Sequence, residues 1–85
     1  MEAAYYLYII RCRDGSLYVG ISRNVENRLV RHQAGTAAIF TRAHPPGKVV
    51  YQEQFPSYKE ARAREVQVKK WRRDKKECLI LGLKP

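Results

Sequence analysis

Cysteines and long apolar runs are scarce in this sequence. With Cys12 and Cys78 alone, the chain can form neither a disulfide framework nor a cysteine-based zinc site. No stretch approaches the about 20 apolar residues that cross a bilayer, and residues 1–4 lack the basic start and apolar run of a secretory signal. These absences indicate a soluble protein with reduced thiols, and we expect it in the cytoplasm without a membrane partner.

Acidic residues are scarce as well. Seventeen Lys and Arg stand against eight Asp and Glu, which gives a net charge of +9. Such an excess favours a polyanionic partner, either nucleic acid or an anionic membrane surface. A hydrophobic content of 45% is ordinary for a globular protein, and 85 residues make a single domain, 1–85. The oligomeric state stays open, a monomer included.

The N-terminal part of the chain has the pattern of a β-hairpin. Residues 5–12 are rich in aromatic and β-branched types and apolar on both faces, which predicts a central strand. Asp14-Gly15 is a turn signal, and residues 17–21 form the return strand.

The length of this turn decides which side chains share a face. A three-residue loop ending on a left-handed Gly15 pairs Ile10 with Tyr18 and Tyr8 with Gly20. A two-residue loop would send Tyr18 to the opposite face. With the longer loop, which the glycine favours, one face carries three tyrosines: Tyr6, Tyr8 and Tyr18.

The remaining elements mix helix and strand signals. Asn24 caps a helix that Gly35 ends, and residues 48–55 form a third strand. Ser57 and Glu60 make a capping box. Two helices complete the chain, one reaching about Arg73 and a short one that Asp74 and Glu77 cap and that ends near Gly82. This order predicts an α/β or α+β protein, with helices packed on a small sheet.

The tyrosines of the hairpin have two interpretations. They can be plain strand aromatics, because aromatic residues suit strands. They can also point their hydroxyls into a polar cleft, where cations or a metal ion favour the deprotonated form of a phenol. A phenolate there could accept a proton from an attacking water.

A basic pair, Arg28 and His32, lies one helical turn apart. Both can belong to a solvated basic face. Alternatively, Arg28 grips a phosphate with its planar fork of donors, and His32 donates to the same phosphate or shuttles a proton.

Glu65 interrupts an apolar stripe formed by Ala61, Val68 and Trp71. A carboxylate in such a stripe needs a counter-charge or a metal ion. One Mg²⁺ held by a single carboxylate and water is one solution. The other is a salt bridge to a basic neighbour on the same helix: Arg62, Arg64 or Lys69.

A dense basic run follows, Lys69-Lys70-Trp71-Arg72-Arg73. It can be a solvated helix end, but with a net charge of +9 it favours a contact surface for phosphate backbones. No base-reading motif is present, so sequence specificity has no support.

Taken together and in this order, these residues resemble the GIY-YIG nuclease superfamily. The half-motifs are Tyr6-Leu7-Tyr8 and Tyr18-Val19-Gly20, followed by Arg28, His32 and Glu65. The resemblance spans roughly residues 5–80 and is greatest to the small stand-alone bacterial members. Two departures are that Tyr6 stands where the first motif has glycine and that Ile21 stands where some relatives have lysine.

The resemblance implies a three-stranded antiparallel sheet flanked by helices. It also implies hydrolysis of DNA phosphodiester bonds with one divalent ion, Mg²⁺ or Mn²⁺. Tyr8 or Tyr18 would be the general base, Arg28 would stabilise the transition state, His32 would assist and Glu65 would hold the metal. Nucleic-acid contacts are expected from Tyr6 and Gly20 and from the basic run: Lys69, Lys70, Arg72 and Arg73.

Two functions compete on this evidence. The first is a metal-dependent endonuclease, directed by DNA structure or backbone, that acts in DNA repair or processing. The second is a DNA- or RNA-binding module that keeps the fold without turnover. A protein–protein adaptor has no dedicated motif in the sequence.

Overall fold

Three antiparallel strands form one sheet in this computed structural model, which describes residues 4–26, 29 and 46–82. The strands are β1 (Tyr5–Cys12), β2 (Leu17–Ser22) and β3 (Pro46–Phe55). Their order is β2-β1-β3, so β1 is central, as its apolar residues on both faces predicted. Two helices follow, α1 (Tyr58–Lys69) and α2 (Arg73–Ile80).

The β1–β2 turn has the predicted three-residue form. Gly15 is left-handed at φ 88°, and its N–H donates to the carbonyl of Cys12 over 3.0 Å. The N–H of Cys12 donates to the carbonyl of Ser16 over 2.8 Å. Tyr8 therefore pairs with Gly20, and the predicted register of the hairpin is confirmed.

β3 begins at Pro46, two residues before the predicted start at residue 48. Its pairing with β1 is irregular between Ile9 and Ile10 and again between Arg11 and Cys12. These irregularities let the strand continue to a proline, a residue that sheets accept at bulges and at strand starts.

The predicted helix boundaries are partly wrong at the C-terminal end. α1 starts as expected, because the Ser57 hydroxyl accepts the N–H of Glu60 over 3.3 Å and also bonds the Glu60 carboxylate at 3.0 Å. It ends at Lys69 rather than at Arg73. The next two N–H groups donate three residues back, which tightens the last turn and stops the helix.

The N-cap of α2 also differs from the prediction. Arg72 occupies this position with extended backbone and no side-chain cap, and Asp74 lies in the first turn instead. A carboxylate there still stabilises the helix through the partial positive charge of its N-terminus. α2 ends at Ile80, close to the left-handed Gly82, as predicted.

Both faces of the sheet are covered by apolar residues. On the face beneath α1 and α2, the buried cluster contains Leu7, Ile9, Val19, Val68 and Leu79. The opposite face carries Tyr8, Ile10, Cys12 and Val25. Helical residues follow Asn24 directly, at Val25, Glu26 and Leu29.

The two thiols are free, with Cys12 buried and Cys78 half-buried, as the cysteine count predicted. Burial, with a smaller contribution from the nearby Asp14 carboxylate, raises the pKa of Cys12. Within the ranges that the structure describes, no helix has both the length and the apolar character needed to cross a membrane.

Candidate active site

The centre of the candidate site is the contact between Tyr8 and Gly20. Tyr8 is only 2% exposed, and its ring passes directly over the glycine opposite it on β2. A Cβ at Gly20 would lie 2.6 Å from the Tyr8 hydroxyl oxygen and 2.7 Å from Cζ. The glycine of the second half-motif is therefore a steric requirement, because only a residue without a side chain lets the phenol cross the strand.

Tyr18 lies beside Tyr8 on the same face of the sheet. Their ring centroids are 6.3 Å apart and the rings meet edge to face at 67°, which is a favourable aromatic geometry. Tyr18 is half-buried, so the pair combines one enclosed phenol with one that solvent reaches.

Tyr6 lies farther along the same face. It is half-buried and packs against the cluster that contains Tyr8. It also lines an open cleft of about 280 Å³ together with Arg23 and Gln52. The three tyrosines that the sequence placed on one face are thus found there.

Glu65 is buried on α1, in the stripe with Ala61 and Val68. Its Oε1 accepts from the Arg62 guanidinium, and its Oε2 lies 3.3 Å from Nζ of Lys69. The salt-bridge interpretation of Glu65 is therefore realised in this structure, with two of the three neighbours that the sequence offered. The pairing with the carboxylate raises the pKa of Arg62.

An open cleft of about 260 Å³ lies between the edge strand β2 and the helices α1 and α2. We call it the β2 cleft. Tyr18 and Lys69 both line it, so one phenol of the tyrosine pair and the lysine that pairs with Glu65 lie at the same edge of the sheet. The remaining lining residues are Leu17, Val19 and Lys76.

Lys76 is a site residue that the sequence analysis missed. It follows Lys75 directly, and the two lysines look equivalent in sequence. The structure distinguishes them, because Lys75 is exposed with its Nζ 4.4 Å from the centroid of the Trp71 ring, whereas Lys76 is half-buried. Of the two, Lys76 is the one that lines the cleft.

The basic run divides between two environments. Lys70, the C-cap residue of α1, and Arg72 are exposed. Arg73 is partly occupied, since its Nη2 donates to the carbonyl of Gly15 over 2.6 Å and lies 3.4 Å from a Glu77 oxygen. In this structure, Arg73 therefore stabilises the β1–β2 turn.

A bidentate ion pair anchors the same hairpin. Arg11 donates from Nη1 and Nη2 to the two carboxylate oxygens of Glu77, over 2.9 and 2.5 Å. This pairing holds the pKa of Glu77 below its usual range and raises that of Arg11. The strand that carries Tyr8 is thus tied to α2.

Arg28 and His32, the remaining predicted site residues, lie outside the described residues. In the described part of the chain, no three His, Cys, Asp or Glu side chains come close enough to hold a metal ion together. A metal would therefore rest on one carboxylate and water, and Mg²⁺ accepts such a set.

The environment of Glu65 fits this kind of ion. Its carboxylate is held in place by burial, while the paired side chains of Arg62 and Lys69 are 51% and 49% exposed. These cations can turn into solvent when an ion takes their place, because their long stems reach the surface.

Comparison with known proteins identifies the family. Residues 4–77 match the model of the GIY-YIG catalytic domain. A UPF0213 protein of Staphylococcus haemolyticus is 45% identical over 78 residues, covering 92% of this chain and 95% of the relative. Another, from Staphylococcus saprophyticus, is 42% identical over 76 residues, covering 89% and 93%.

Solved structures agree with the fold. The solution structure of a UPF0213 protein of Bacillus halodurans is 40% identical, with a TM-score of 0.59 over 91% of this chain and 82% of that one. A protein from E. faecalis is 34% identical, with a TM-score of 0.64 over 96% and 90%. The chain therefore belongs to the GIY-YIG catalytic domains and, among them, to the UPF0213 family of small proteins.

Proposed function

We propose that this protein is a divalent-metal-dependent endonuclease that hydrolyses DNA phosphodiester bonds in repair or processing. The observation that carries the proposal is the meeting of two elements at the edge of β2. The phenol pair of Tyr8 and Tyr18 lies on one side. The buried carboxylate of Glu65 lies on the other, and its partner Lys69 lines the same cleft as Tyr18. The match to a catalytic domain supports this assignment.

Of the two phenols, Tyr18 is the better general base. It is half-buried and lines the β2 cleft, so water and a phosphate can approach it. Tyr8 is 2% exposed and fixed over Gly20, which suits a residue that orients its neighbour. A positioned general base contributes about 10² to 10⁴ in rate.

Glu65 would hold one Mg²⁺ or Mn²⁺. When bound, the ion would supply neutralisation of the negative charge that develops on the leaving oxygen. Arg28 would grip the phosphate and His32 would assist as acid, base or phosphate ligand, as the family resemblance implies.

DNA as the partner follows from charge. The net charge of +9 and the exposed Lys70 and Arg72 between α1 and α2 favour contacts to a phosphate backbone. The sequence contains no base-reading motif. We therefore propose recognition of DNA backbone or structure rather than of sequence.

The test is cleavage of a panel of labelled flap, fork, junction, nicked and single-stranded DNAs by protein free of other nucleases. Each substrate is incubated with Mg²⁺, with Mn²⁺ and with a chelator. Metal-dependent nicking by the wild type, lost in Glu65→Gln and Tyr18→Phe but kept in Glu53→Gln, is the expected result. Absence of nicking by the wild type on every substrate with both metals would refute the proposal.

A non-catalytic binding module is the second candidate. Arg62 and Lys69 already neutralise Glu65 in this structure, so the fold has a complete arrangement without a metal. This function predicts salt-dependent binding to DNA or RNA that is unchanged in Glu65→Gln, together with no cleavage.

A further inference from the structure

We propose that the β2 cleft is a phosphate subsite and that Lys76 binds the phosphate there. The subsite would take a backbone phosphate of the bound strand next to the one that is cut. The inference rests on the proposed action on DNA, and it adds a residue outside the basic run from Lys69 to Arg73.

The first support is the pairing of the cations. Lys76 is half-buried, yet no carboxylate in the described residues pairs with it. Its sequence neighbour Glu77 is occupied by Arg11 and Arg73. A lysine can bury its aliphatic stem and keep its ammonium in water, so this ammonium is available to an anion from outside.

The second support is the arrangement of the cleft. Lys69 lies on the other helix and lines the same cleft, so two ammonium groups converge from α1 and α2. Because Lys69 shares its charge with Glu65, Lys76 contributes the larger part of the free positive charge. Lysine binds phosphate as a point charge and tolerates varied approach.

The third support is the edge of the sheet. In the pairing register, Ile10 and Tyr18 exchange hydrogen bonds, and the positions alternate along an antiparallel ladder. The N–H groups of Leu17 and Val19 therefore point away from β1, toward the free edge of β2. Both residues line the cleft, and outward N–H groups are good phosphate donors.

The position of the subsite follows from Tyr18. This residue belongs both to the phenol pair and to the cleft lining. A phosphate bound between Lys69 and Lys76 is therefore adjacent to the proposed reaction centre, on the side of α2.

The experiment measures binding of a short labelled duplex in the absence of metal, across a series of salt concentrations. We compare the wild type with Lys76→Gln, Lys76→Met and Lys76→Arg. The matched control is Lys48→Gln, which removes an exposed lysine from β3, at the opposite edge of the sheet. Thermal melting verifies that each variant is folded.

The expected result for Lys76→Gln is a loss of one phosphate contact. The slope of log K against log salt falls in magnitude by about 0.9, and affinity at low salt drops several-fold. Lys76→Met, which keeps the aliphatic stem, behaves in the same way, and Lys76→Arg restores the slope. Lys48→Gln leaves the slope as in the wild type.

Three outcomes overturn the inference: no binding by the wild type, an unchanged slope in both neutral variants, or an equal loss in Lys48→Gln. The result is separable from the proposed nuclease activity, because no cleavage is needed. If Lys76→Gln loses one phosphate contact but the wild type never cuts DNA, the subsite is supported and the nuclease is refuted. If the wild type cuts DNA but Lys76→Gln binds it normally, the nuclease is supported and the subsite is refuted.

Discussion

The two flanks of α1 differ in the balance between acidic and basic side chains. Toward β3, Glu53 accepts a hydrogen bond from Tyr51 over 2.5 Å and another from Nε of Arg64 over 3.0 Å. Both members of this ion pair are about a quarter exposed, at 27% and 24%. The guanidinium of Arg64 also lies over the Trp71 ring, 5.0 Å from its centroid. One acid, one base and two aromatic groups thus satisfy one another.

Toward β2, basic side chains outnumber acidic ones among the described residues. Arg62 and Lys69 both pair with Glu65, and Lys76 lines the cleft there without an acidic partner in the part of the chain that the structure describes. Concentrated positive charge repels itself and contributes nothing to holding the chain together. The comparison teaches that the balanced flank stabilises the fold through its own contacts, whereas the excess positive charge of the other flank suits the anionic partner that we propose.

Glu65→Gln should give the largest effect among the variants that test the difference between the two flanks. The amide keeps the shape of the side chain but no longer attracts a divalent ion, so we expect cleavage to fall by on the order of 10²-fold or more. Stability changes by less than about 1 kcal/mol, because the lost pairs have half-exposed partners. Single-turnover cleavage and thermal melting measure the two effects.

Glu53→Gln is the matched control for that variant. It changes the same functional group on the opposite flank, and we expect it to lower stability while leaving the cleavage rate as in the wild type. Equal losses of cleavage in the two variants would contradict the division of roles between the flanks.

Gly20→Ala should be the next largest effect. The new methyl carbon would lie 2.6 Å from the Tyr8 hydroxyl oxygen, so the ring must move. Overpacking of this kind destabilises by about 1–3 kcal/mol. Because Tyr8 orients Tyr18 in the proposed reaction, a misplacement of about 1 Å can lower the rate on the order of 10²-fold. Melting and cleavage are measured together.

Gly82→Ala provides the control for Gly20→Ala. Gly82 has φ 77°, and no atom of the described residues lies within 4 Å of the added carbon, so the substitution introduces backbone strain away from the candidate site. It should lower stability by about 1 kcal/mol and leave cleavage unchanged. Wild-type cleavage by Gly20→Ala would mean that the position of Tyr8 over the glycine is not needed for the reaction.

Much of the hairpin could be predicted from sequence because its determinants are local. Asp14-Gly15 sets the turn, the turn sets the register, and the register puts the tyrosines on one face. Glu65 could be identified for a similar reason, since a carboxylate within an apolar helical stripe is visible in sequence. Arg28 and His32 stay predictions, because they lie outside the described residues.

Contacts between distant segments could not be predicted in the same way. The pairing of Glu53 with Arg64 and that of Arg11 with Glu77 depend on how the helices cross the sheet. The end of α1 at Lys69 depends on a tight last turn, and no proline or glycine at that point of the sequence predicts it. Lys76 was missed because its role follows from the placement of α2 against β2.

The Arg11–Glu77 pair should make a moderate, pH-dependent contribution. Because Arg11 lowers the pKa of Glu77 below its ordinary value of 4.5, the folded state binds this proton more weakly than the unfolded chain. The stabilisation is therefore fully present above that ordinary value and is lost as pH falls through the lowered one.

Glu77→Gln removes this contribution, about 1 kcal/mol for a pair that is 33% and 29% exposed. Urea unfolding at neutral and at acidic pH measures it. The difference between variant and wild type should shrink at acidic pH. A difference that stays constant with pH would contradict the assignment to the ion pair.

The smallest predicted effect tests the balanced flank itself. Burial, together with the hydrogen bond to Glu53, raises the pKa of Tyr51 to about 12 from an ordinary value of 10.0. The folded state thus holds this proton more tightly than the unfolded chain does, so the stabilisation is complete below pH 10.0 and is lost as pH rises toward about 12.

Tyr51→Phe should therefore flatten the alkaline decline in stability and destabilise only slightly at neutral pH, by less than about 1 kcal/mol. Tyr58→Phe is the control, because this exposed hydroxyl has no hydrogen-bond partner within the described ranges. Urea midpoints at neutral and alkaline pH measure both variants. An alkaline decline that is as steep in Tyr51→Phe as in the wild type would show that the phenol–carboxylate contact does not set the balance of this flank.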